Sequence, residues 1–198
     1  MKSILSCLAL GMSFLSAADW IQWRGPTRDG KATKTAAPWP KSLSAENLKL
    51  LWSVDLAEGY SSPIVAGSKV FTVETKDKKS EVVRAFDRKT GKQIWDNDWA
   101  GSMRVPFYAA KNGSWVRSTP ATDGKTLFVG GMRDVLVAID VDTGKEKWRR
   151  DYPSEEKTPL PSFGFVSSPL LDKDHIYVQV GSAAVSYTHL TLPTSYAV

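Results

Sequence analysis

Three short strings in this chain have the residue types that site chemistry needs. Asp140-Val141-Asp142-Thr143-Gly144 offers the spaced carboxylates and glycine with which a loop begins to wrap calcium. Gly124-Lys125-Thr126 has the lysine and hydroxyl that close a phosphate-binding loop, and His175 beside Asp174 could be an imidazole oriented by a carboxylate. None completes its constellation. A calcium loop needs further oxygen ligands and a terminal bidentate Glu, and the string lacks both at the spacing such a loop requires. A phosphate loop needs its first glycine where Thr119 stands. His175 opens a β-prone stretch and is expected at a strand edge; the other histidine, His189, is close to the C-terminus. Cys7 is the single cysteine and lies in an apolar leader, so neither a Cys/His nucleophile nor a zinc cluster can be assembled. No Gly-x-Ser-x-Gly elbow is present.

Asp140 and Gly144 have a better account in the elements around them. Ala138 to Trp148 reads AIDVDTGKEKW and Ala85 to Trp95 reads AFDRKTGKQIW, both A-x-D-x-x-T-G-K-x-x-W, offset by 53 residues (138 − 85). A framed copy at this period marks one supersecondary unit used repeatedly. Each motif follows an alternating apolar stretch and ends on Trp, which predicts a hairpin whose turn uses Gly91 and Gly144 at positive φ. Asp87 and Asp140, with Thr90 and Thr143, are placed to accept or donate hydrogen bonds across that turn. Upstream lie paired strands of a second kind: Ser61-Ser62-Pro63 before Lys69 to Val73, Ser118-Thr119-Pro120 before Thr126 to Gly130, and Ser167-Ser168-Pro169 before His175 to Val180. Each unit is thus four short antiparallel strands, and the chain is all-β.

The Ser/Thr-Pro strand, the apolar strand after it and the A-x-D-x-x-T-G-K-x-x-W hairpin resemble the PQQ-like repeat, or tryptophan-docking motif. That repeat builds the propellers of quinoprotein alcohol dehydrogenases and of BamB-type envelope proteins. The resemblance covers about residues 50 to 184 and is specific for the repeat, not for an activity. It implies a partial β-propeller of four-stranded antiparallel blades, about two full blades with parts of two others. It also implies that Trp95 and Trp148 dock between neighbouring blades, each against the glycine turn of the next motif. Trp52, in LLWSVDL, resembles the same position of an earlier unit. Ala85, Asp87, Thr90, Gly91 and Ala138, Asp140, Thr143, Gly144 are then structural docking residues.

Four segments are expected. Residues 1–18 read as a signal peptide, with Lys2, an apolar run from Ile4 to Leu15 and the small residues Ser16-Ala17-Ala18. That run is too short to anchor in a bilayer, so the protein is expected to be bacterial, exported, and periplasmic or secreted. Residues 19–50 are a Trp- and Pro-rich lead-in, expected to strap the propeller. Residues 51–184 carry the repeats, which are too few to close a ring, so the chain is expected to be the N-terminal part of a longer protein. Residues 185–198 are expected to be non-native, because Val185 to Leu190 resembles the translation of a sequencing-library adaptor.

The formal net charge is +5, from 26 basic and 21 acidic residues interspersed in turns. Nucleic-acid binding calls for a basic stripe with interleaved stacking aromatics, and this pattern has none. The expected function is a non-enzymatic binding scaffold in the cell envelope, with an envelope protein or a polysaccharide as partner and no cofactor. Phe107 and Tyr108, in the aromatic insert from Ala100 to Ser114, are the candidate partner surface; the alternative is that the insert folds back over its blade. The alternative implied by the resemblance is part of a dehydrogenase using PQQ and calcium; no residue here matches that family's calcium or base positions.

Overall fold

The computed structural model describes residues 18–32, 40–181 and 186–191. Cys7, the apolar leader up to Ala17, Pro38-Trp39 and the last residues of the tail lie outside them. The described residues form three antiparallel sheets. The first contains β1 (Ile64–Ala66), β2 (Lys69–Lys76), β3 (Ser80–Asp87) and β4 (Gln93–Ala100); the second contains β5 (Ala121–Thr122), β6 (Thr126–Gly131), β7 (Val135–Asp140) and β8 (Glu146–Asp151). The third is β9 (Leu170–Asp172), β10 (His175–Val180) and β11 (Ser186–Thr191). Strands follow chain order within each sheet, as consecutive hairpins require. This is a partial β-propeller.

Local chemistry sets each turn. The β2–β3 turn places Asp77 and Lys78 at φ 53° and 55°, the pair of left-handed residues that matches the twist of a tight hairpin. In the motif hairpins Ala85 faces Trp95 and Ala138 faces Trp148, and each β-ladder slips at the next residue, between Ala85 and Phe86 and between Ala138 and Ile139. The repeat therefore extends to its β-bulge.

The middle strands are apolar on both faces because both faces are covered. Val137 and Ile139 of β7 join Phe71, Val83 and Trp95 in a core between the first two sheets. Leu136 and Ala138, pointing the other way, join Ile176, Val178 and Val180 of the third sheet. The lead-in touches all three sheets. Trp20 exchanges both backbone hydrogen bonds with Val65, the Ile21 carbonyl accepts from Thr122, and Gln22 Oε1 accepts from Leu171 N.

Of residues 185–198, expected from the sequence to be non-native, the structure describes 186–191. They form β11, which pairs along the whole of β10, from His175↔Thr191 to Val180↔Ser186. The open edge of β10 is a row of unpaired backbone groups, and a following β-prone segment satisfies them. The pairing shows where the segment lies, not its origin.

Candidate functional site

The two motif turns are closed by their own side chains. Asp87 Oδ1 accepts from the backbone of Lys89 (3.0 Å) and Thr90 (2.8 Å) and from the Thr90 hydroxyl (2.8 Å). Asp140 Oδ1 does the same with Asp142 N (3.1 Å), Thr143 N (2.9 Å) and the Thr143 hydroxyl (2.9 Å). Hydrogen bonds to the charged form favour it. The Thr143 backbone, foremost, pulls the Asp140 carboxyl down to about 2, and the Thr90 hydroxyl lowers that of Asp87. These carboxylates are committed to the turn by their hydrogen bonds.

Gly91 and Gly144 both sit at φ 71° with an indole lying on them. A Cβ on Gly91 would come within 2.6 Å of Trp52 Cδ2, and a Cβ on Gly144 within 2.6 Å of Trp95 Cδ2. Trp52 Nε1 donates to Arg88 O at 3.0 Å, and Trp95 Nε1 donates to Val141 O at 3.0 Å. Asn97 adds a bond from Nδ2 to Gly144 O (2.8 Å). Each indole thus meets the turn of the following motif with both its face and its N–H. Trp148 is half-buried and tilts against Phe128, with ring centroids 5.9 Å apart, as Trp95 does against Phe71 at 5.8 Å.

Gly144→Ala is therefore expected to destabilise by more than the strain of one left-handed alanine, about 1–3 kcal/mol, because the indole must also move. Gly124→Ala is the control, at φ +91° with nothing within 4 Å of the added Cβ. Urea unfolding of both should show the larger loss for Gly144→Ala; equal losses would mean the indole contact adds nothing.

A second feature, not anticipated from the sequence, joins the first two sheets. Glu81 on β3 has no exposed surface. Its Oε2 accepts from Trp99 Nε1 (2.7 Å) on β4, and its Oε1 accepts from Met132 N (2.6 Å), after β6 of the next sheet. Gly101 and Gly131 flank the carboxylate so closely that a Cβ on either would collide with it. Burial pushes the Glu81 carboxyl up to about 7, against the pull of Met132 N, the Trp99 N–H and the Arg149 charge. Arg149 in turn lies over the Trp99 ring, 5.4 Å from its centroid.

The third feature is the face built by the long connections between sheets. The insert after β4 contains a 3₁₀ helix, Phe107–Asn112, in which Ala109 alone is buried. Val105 and Ala109 anchor it to the core, with Met103 packed alongside. Phe107 and Tyr108 point outward, 90% and 70% exposed. Their rings meet edge to face at 5.7 Å, and Tyr108 meets Phe163 of the β8–β9 connection at 6.4 Å. Phe163 was not singled out from the sequence, since nothing local ties it to residues 107 and 108. His175 does lie at the start of β10, and its Nδ1 is 2.8 Å from Asp174.

No three His, Cys, Asp or Glu side chains among the described residues converge as a metal site. Asp87 and Asp140, the carboxylates of the calcium-like string and its copy, are hydrogen-bonded within their own turns.

Successive four-stranded antiparallel sheets, with a tryptophan of one motif laid on the glycine turn of the next, define a β-propeller repeat protein. Residues 78–191, more than half of the chain, match the family model for outer membrane protein assembly factor BamB, and the chain belongs to that PQQ-like repeat family. It is 29% identical over 187 residues to a 1-butanol dehydrogenase (cytochrome c) of Thauera butanivorans, covering 90% of this chain and 25% of that protein. It is 27% identical over 139 residues to BamB of Yersinia pestis, covering 67% of this chain and 34% of that one. A europium-containing methanol dehydrogenase superposes with a TM-score of 0.54 at 18% identity, over 73% of this chain and 25% of the other; that likeness shows the fold alone. The chain thus spans about a quarter to a third of these relatives. No helix among the described residues is long and apolar enough to cross a membrane.

Proposed function

We propose that this chain belongs to an exported, non-enzymatic binding scaffold of the cell envelope, and that the Phe107–Tyr108–Phe163 ridge is where a partner docks. The carrying observation is the exposure of Phe107 and Tyr108 on an insert that the blade itself anchors through other residues. Leaving two large rings in water forfeits burial worth about 1.5–3 kcal/mol for a side chain of Phe size, so a partner that covers them is favoured. The BamB relatives, which are outer membrane protein assembly factors, support a binding role. The apolar leader at residues 4–15 supports export.

The Phe107→Ala/Tyr108→Ala double variant tests this reading. Captured from an envelope extract, the partner should be lost by at least tenfold at an unchanged melting temperature. Undiminished capture would refute the docking role. A second reading, part of a PQQ- and calcium-dependent alcohol dehydrogenase, is favoured by the match to a butanol dehydrogenase across nearly the whole chain. Quinone binding by the intact protein separates the two.

A further inference from the structure

Beside the aromatic ridge the two long connections leave a groove of about 700 Å³. Ser102 to Pro106 form one wall, Leu160 to Ser162 the other, and Arg133 of the β6–β7 turn closes it. Its apolar lining is Met103, Val105, Pro106, Leu160 and Pro161. Two guanidinium groups, Arg104 and Arg133, stand exposed in the same groove, and no Asp or Glu lines it.

The state of those two arginines sets them apart. Arg84, Arg88, Arg149 and Arg150 are each paired with a carboxylate, to Glu74, Asp19, Glu146 and Glu155 respectively. Arg24 and Arg28 lie over the Trp23 ring, and Arg117 lies over Tyr60 and donates to Gly113 O. Among the described residues, Arg104 and Arg133 alone of the arginines have no hydrogen bond, ion pair or ring contact. A guanidinium presents its N–H donors in a planar fork that fits a carboxylate bidentately. Two such forks beside an apolar floor are complementary to a ligand that alternates negative charge with apolar bulk.

We propose that this groove takes an extended acidic peptide segment of the partner protein, with carboxylates on Arg104 and Arg133 and apolar side chains on the floor between Met103 and Leu160. The inference rests on the scaffold reading and names the chemistry of its partner. An acidic polysaccharide would answer the arginines, but it has no apolar side chains for Met103, Pro106 and Leu160. The net charge of +5 favours the same sign of partner.

The probe is a fluorescein-labelled peptide alternating Glu with Leu, followed by anisotropy with the intact protein at low salt. Binding should weaken at least tenfold in Arg104→Glu/Arg133→Glu at an unchanged melting temperature, and should fade with added salt. A peptide alternating Lys with Leu should not bind. Acidic-peptide binding that ignores the double reversal would overturn the proposal. So would polygalacturonate binding that depends on both arginines while the peptide does not bind. If the arginine reversal has no effect on the peptide but Phe107→Ala/Tyr108→Ala still loses the envelope partner, the peptide inference falls and the scaffold reading stands. If peptide binding needs the arginines while partner capture ignores the aromatic variant, the groove assignment stands and the ridge does not.

Discussion

Glu81→Ala is expected to lower the unfolding free energy by about 3 kcal/mol, since it orphans two buried donors at about 1–3 kcal/mol each. Those donors are Trp99 Nε1 and Met132 N, from the carboxylate's own sheet and from the next, so the loss falls on the contact between sheets. Above about pH 7, where the carboxylate is charged, part of it is offset because that buried charge also disappears. The pH dependence isolates the group. Its folded value, about 7, lies above the ordinary Glu value of about 4.3, so between those values the folded state holds a proton that the unfolded state has lost. Stability from this group is therefore greatest below about pH 4.3 and is lost as pH rises through about 7. Glu81→Gln should remove that slope, since the amide does not titrate. Urea unfolding from pH 5 to 8 should show a falling stability in the parent and a flatter one in Glu81→Gln; identical slopes would contradict the assignment.

Trp95→Ala should cost about 3–5 kcal/mol, the usual range for truncating a large buried aromatic. The indole is 9% exposed, packs on Phe71, covers Gly144 and donates to Val141 O. Trp95→Phe keeps most of the apolar contact and loses the N–H, leaving the Val141 carbonyl without that donor, so it should fall between parent and alanine variant. An unchanged melting temperature for Trp95→Ala would remove the docking role.

The motif hairpin was open to reading because its determinants are local. Asp140, Thr143 and Gly144 are within five residues, and their hydrogen bonds need no tertiary partner. The continuous apolar run of β7 marked a strand, although that Val137 and Leu136 face different neighbouring sheets is a property of the stack. Glu81 was illegible for the opposite reason. In Ser80-Glu81-Val82 it looks like a solvated residue after a turn, and its donors lie 18 and 51 residues away. The one available trace was glycine at 101 and 131, where the carboxylate leaves no room for a Cβ. The bond between Leu171 N and Gln22, 149 residues apart, was equally beyond local pattern. Phe107 and Tyr108 stood out by composition, but their meeting with Phe163 depends on two connections folding onto one face.

The division between scaffold and dehydrogenase is the central question, and absorbance titration of the intact protein with PQQ and Ca²⁺ addresses it most directly. The scaffold account predicts no quinone spectral shift and no saturable binding. Stoichiometric, calcium-dependent PQQ binding would contradict it.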